Sequence, residues 1–79
     1  MSNLETVMRP VYRDSYNFLM RYNERLSTIR NDDEFWCLAS SDFEDMCRNH
    51  GMHPAAITQF TAAYEVLEAF WKEHKHGNR

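Results

Sequence analysis

The sequence predicts an all-α fold, a small antiparallel three-helix bundle, on three observations. Only two Gly and two Pro punctuate 79 residues, so turn signals are few. No run of alternating β-branched residues reads as a strand. Three stretches repeat large apolar residues at intervals of three and four, the spacing of one helical face. Apolar residues make up 43% of the chain and aromatics 14%, the composition of a chain that folds. A single domain of this length buries only about 60% of the surface its unfolded form exposes, so little core can be wasted. Order is expected over about residues 8–74.

The first helix is expected to start at Pro10, where a missing N–H costs nothing, and to run to about Ile29. Tyr12, Leu19, Tyr22, Leu26 and Ile29 form its seam, with Ser15 in the gap. In "RNDDEFW", Asn31 or Asp32 caps the second helix, and Asn31 with Glu34 has capping-box spacing. Trp36, Ala39, Phe43, Met46 and His50 lie on its stripe, and Gly51 suits a left-handed C-terminal cap. Ser41 and Glu44 form a second capping box, so a break near Ser40–Ser41 competes with one continuous helix, which is preferred. Pro54 opens the last helix, along which Ile57, Phe60, Tyr64, Leu67 and Trp71 repeat. Fraying is expected near His74, followed by a disordered tail, "HKHGNR". Short links between three helices force an up, down, up order. The expected core is Tyr12, Leu19, Tyr22, Leu26, Trp36, Phe43, Met46, Ile57, Phe60, Tyr64, Leu67 and Trp71.

No stretch is long and apolar enough to span a bilayer, and "MSNLETVMRP" lacks a signal-peptide core. A cytoplasmic protein without membrane contact is expected. Cys37 and Cys47 on one helix would stand roughly 15 Å apart, beyond the ~7 Å Cα limit of a disulfide. Two free, largely buried thiols in a reducing compartment fit better.

From Asp33 to Lys75, "DEFW", a central helix, a "HGMHP" bend, then "A-Y-E-V-L-E" and "WK" resemble small three-helix proteins carried by conjugative elements and prophages of gut Firmicutes. That resemblance implies a bundle and a mobile-element setting, and no activity. Separately, "MCRNHGMHPAAITQF" resembles a helix-turn-helix. Cys47 is the small buried residue four before a turn glycine, Gly51. Met52 follows it, and Ile57 and Phe60 would hold the second helix down. The resemblance implies that His53, Ala55, Thr58 and Gln59 face the major groove, where Gln can bond adenine and Thr or Ala can touch a thymine methyl.

Charge opposes that reading. A duplex reader needs cations around its recognition helix, yet Gly51 to Trp71 contains no Lys or Arg, and the chain carries −3. Metal binding has a faint basis in Cys47, His50 and His53, with His74 and His76 further on. A structural zinc site takes four ligands, and a helix of the expected length separates His53 from His74 by roughly 30 Å. Cys47 and His50 are ordinary helical neighbours with no oxyanion site beside them. The carboxylates cluster at helix starts, where they serve capping. No metal, cofactor or catalytic residue is expected.

The favoured expectation is a non-enzymatic helical module acting through a protein partner or a second copy. Met8, Val11, Phe18, Phe35, Val66 and Phe70 exceed what a narrow three-helix seam can hold. Of these, Val11, Phe18, Phe35, Val66 and Phe70 are the candidate partner surface. A DNA-reading helix starting at Pro54 is the alternative.

Overall fold

The computed structural model describes the backbone of residues 3–77 and the side chains of residues 3–74. Asn3 is extended, and its Oδ1 accepts from the N–H groups of Glu5 at 2.8 Å and Thr6 at 3.2 Å. Two of the four orphan donors of a helix start are thereby satisfied. The first helix, α1, consequently spans Leu4–Thr28 and carries Pro10 in its interior, where the sequence placed its first residue. Pro10 offers no N–H to the Thr6 carbonyl. The helix continues through it because the Asn3 cap and the burial of Met8 and Val11 on either side of the proline hold both turns.

The second helix, α2, is one continuous element, Asp32–Asn49. The Asn31 side chain accepts from the Glu34 N–H at 2.9 Å, so the upstream cap is used and the Ser41–Glu44 box is not. The N–H of Gly51 bonds the Arg48 carbonyl and that of Met52 bonds the Cys47 carbonyl, both at 2.9 Å. This is a Schellman arrangement. Gly51 has φ +63 and Met52 φ 57, so a methionine shares the left-handed region that favours glycine. The third helix, α3, spans Pro54–Gly77. It does not stop near His74, because Trp71, 5% exposed, anchors its last turns. The rest of the expected tail, residues 78 and 79, lies outside the described residues.

Short links at residues 29–31 and 50–53 make α2 antiparallel to both neighbours, which leaves α1 and α3 parallel. These two pack most extensively, and α2 covers one side of their pair. The core combines rings with small residues. Phe18, Tyr22, Phe35 and Phe60 are fully buried, and so are Ala39 and Ala56, with Ser15 and Ala63 nearly so. Phe35 stacks on Trp71 at 4.0 Å between centroids and meets Tyr22 edge-on at 5.4 Å. Small residues on facing helices let the backbones approach, and rings from the next turns fill the remaining space.

This packing turns the helices away from the expected seams. Tyr12, placed in the core by its spacing, is 57% exposed. Leu19, Leu26, Trp36, Phe43, Ile57 and Tyr64 flank the core half-buried. Conversely Val11, Phe18 and Phe35, expected on a partner surface, are 0% exposed. They cannot form one, because they are the layer on which α1, α2 and α3 meet.

Candidate functional site

Polar contacts join α2 to the side of the α1/α3 pair that it covers. Tyr22 Oη donates to Asp42 Oδ2 at 2.6 Å, and the same oxygen faces Arg21 at 3.3 Å and Arg25 at 3.7 Å. The Arg25 guanidinium also lies 4.8 Å from the Tyr22 ring centroid. Burial, then the Asp42 hydrogen bond and charge, push the Tyr22 phenol well above its usual range. Toward the other end, His50 Nε2 meets Asp14 Oδ2 at 2.7 Å. These contacts bind α2 to one flank of α1.

The other flank carries the apolar residues left over. Leu4, Tyr12, Tyr16 and Met20 are all exposed on α1, at 77, 57, 63 and 46%, and Val66 and Phe70 on α3 at 42 and 55%. Where α1 and α3 begin, Leu4, Met8 and Tyr12 face Ala55, Thr58 and Gln59 across a groove of about 710 Å³. Toward their other end, Leu19, Met20 and Leu26 face Val66, Leu67 and Phe70 across a smaller one of about 170 Å³. Both grooves lie on one seam, on the side of the pair away from α2. Among the residues lining them only Glu5 and Arg9 carry charge, and these two pair with each other. Of the five residues expected on a partner surface, Val66 and Phe70 are here. Sequence reading missed Leu4, Tyr12, Tyr16 and Met20. Their signal is legible, since with Met8 they recur at every fourth residue, a ridge that winds slowly round the helix.

The four helix-turn-helix positions divide differently. His53 Nδ1 accepts the Ala55 N–H at 3.1 Å and so caps α3. Ala55, Thr58 and Gln59 line the larger groove, beside the turns by which α1 precedes Pro10. The basic side chains are largely engaged. Arg9, Arg13, Arg21, Arg25 and Arg48 each contact a carboxylate.

Cys47, His50 and His53 do not converge. Cys37, expected to be buried, is exposed on α2, whereas Cys47 is 3% exposed, and burial, with Glu44 adding to it, pushes its thiol up. His50 is held by Asp14, and His53 caps α3. Among the described residues no three His, Cys, Asp or Glu side chains are grouped to hold a metal ion, and no helix is long and apolar enough to cross a membrane. A third groove, between α2 and α3, is lined by Glu44, Glu65 and Glu68 around a 2.9 Å Ser40–Tyr64 hydroxyl contact.

No protein family, curated protein or solved structure matches the chain.

Proposed function

We propose that the chain is a non-catalytic helical interaction module whose working surface is the outer seam of α1 and α3. The observation that supports this is the run of exposed apolar residues on α1, Leu4, Tyr12, Tyr16 and Met20, met across the seam by Ala55, Thr58 and Gln59 at one end of α3 and by exposed Val66 and Phe70 at the other. Isolated exposed apolar residues are ordinary, whereas contiguous ones mark contact surfaces. Two parallel helices with an apolar valley between them are shaped to receive further helix. The resemblance to mobile-element proteins suggests the setting in which such a module works.

DNA reading is the weaker proposal. A groove reader must present its helix to phosphates with cations beside it. Here the relevant side chains face α1, and most arginines are already on carboxylates. Mixed duplex DNA is expected not to bind even at roughly 50 mM salt, where phosphate contacts are strongest.

Photocross-linking in cells that make the protein tests the main reading. A photoreactive phenylalanine replacing Tyr12 or Phe70 should give discrete protein adducts, and the same group replacing Arg48, on α2, should not. Equal labelling at all three positions, or none at the seam, would overturn it.

A further inference from the structure

Resting on that reading, we propose that the seam's occupant is a second copy of this chain, packed antiparallel about a two-fold axis near Tyr16 and Ala62. A two-fold contact uses one patch twice, so the patch must complement itself. This one does. Its beginning is concave, the groove of about 710 Å³ floored by Met8 and the small Ala55. Its other end holds a smaller and narrower groove of about 170 Å³, beside which Met20 and Phe70 stand 46 and 55% exposed. Turning a second copy end for end brings each Phe70 to the other's concave end. A parallel arrangement would instead set the larger groove against its own image and Phe70 against its own image.

The register follows from the pairings within one chain. Tyr12 lies level with Thr58 and Gln59, and Leu19 to Asn23 with Val66 to Phe70. The midpoint of the seam therefore falls near Tyr16 on α1 and Ala62 on α3, both exposed. No charge among the groove-lining residues lies between Tyr12 and Phe70, and the charges nearest the middle, Arg13 and Glu65, stand one turn from Tyr16 and Ala62. Size is also sufficient. A 25-residue helix is about 37 Å long, and two helices side by side are about 20 Å wide. The outline of the face is roughly 700 Å² per copy, of the same order as the ~800 Å² of accessible surface that each partner of a stable interface buries.

Light scattering and single-cysteine cross-linking test the pairing. At high micromolar concentration the wild-type chain should show twice its 9.5 kDa mass. Phe70→Glu and Tyr12→Glu should each halve that mass while keeping the wild-type circular dichroism. Leu38→Glu, an exposed position on α2, should leave the dimer intact. In a Cys37→Ser background, Tyr16→Cys should form disulfide-linked dimers readily and Leu4→Cys should not, because the two Leu4 positions lie about 36 Å apart in the antiparallel pair. A wild-type monomer at those concentrations overturns the proposal, as does a dimer that survives both glutamate variants. Faster linking at Leu4→Cys than at Tyr16→Cys overturns the antiparallel arrangement. A monomer whose seam still gives photoadducts with one foreign protein sinks the dimer and leaves the interaction surface standing. The absence of any seam adduct would remove both.

Discussion

The two flanks of the α1/α3 pair are built from similar residues and end in different environments. On the inner flank, Phe18, Tyr22, Phe60 and Trp71 meet Phe35 from α2 and lose nearly all contact with solvent. On the outer flank, Tyr12, Tyr16, Met20 and Phe70 recur at helical spacing and keep about half of theirs. Hydrophobicity alone does not separate them. Polar contacts differ as well: Asp42 of α2 and His50, its C-cap, find Tyr22, Arg21, Arg25 and Asp14 on only one flank of α1. A helix carrying those partners covers that flank and leaves the other open.

The largest effect that would break this contrast lies in the inner ring cluster. Phe35→Ala should cost about 3 to 5 kcal/mol by urea denaturation, the usual range for emptying an aromatic core site. A total stability of about 5 to 15 kcal/mol leaves little margin for such a loss. Trp36→Ala, at a half-buried ring beside it, should cost distinctly less. Equal losses would mean that the two rings are equally buried.

The polar contacts come next. Asp42→Ala should destabilise by about 1 to 3 kcal/mol, because the buried Tyr22 hydroxyl is left without its acceptor. In a Tyr22→Phe background the same change should cost much less. The pH dependence has a definite sign. Since the folded phenol titrates above its ordinary pKa, the stability linked to it is fully present below that value and declines as pH rises past 10.0. Thermal midpoints measured from pH 8 upward should fall on the alkaline side, and less steeply in Tyr22→Phe.

A smaller effect, of opposite sign, is expected at Ser15. Its Oγ is buried without a hydrogen-bond partner, so Ser15→Ala removes an unsatisfied group from the centre of the bundle. The variant should be more stable by about 1 kcal/mol. A loss of stability would show that the hydroxyl has a partner after all.

Helix count, order and the Asn31 and Gly51 boundaries were legible, because caps and glycine act locally and leave their signatures in sequence. Two things were not. Asn3 as a cap was overlooked in favour of Pro10, since proline is the louder signal even where an earlier cap has already begun the helix. The centre of each stripe was also misplaced. Spacing reveals that a face is apolar, but its middle is set by how closely helices approach, and that depends on Ser15, Ala39, Ala56 and Ala63 rather than on the largest residues. Spacing therefore puts Tyr12 inward and Val11, Phe18 and Phe35 outward, the reverse of their burial. Val66 and Phe70 were read as surface on volume alone, and on α3 that sufficed because Ala56 and Ala63 let Phe60 and Leu67 fill its inner face.

One pair of variants tests the inner and outer flanks against each other most directly. Phe18→Glu places a charge in the fully buried layer without a partner, a cost beyond what a domain of this size can carry. Phe70→Glu places the same charge on the outer seam. Far-UV circular dichroism should show Phe18→Glu largely unfolded at room temperature and Phe70→Glu as helical as wild type. A folded Phe18→Glu, or an unfolded Phe70→Glu, would contradict the assignment of one flank to the core and the other to the surface.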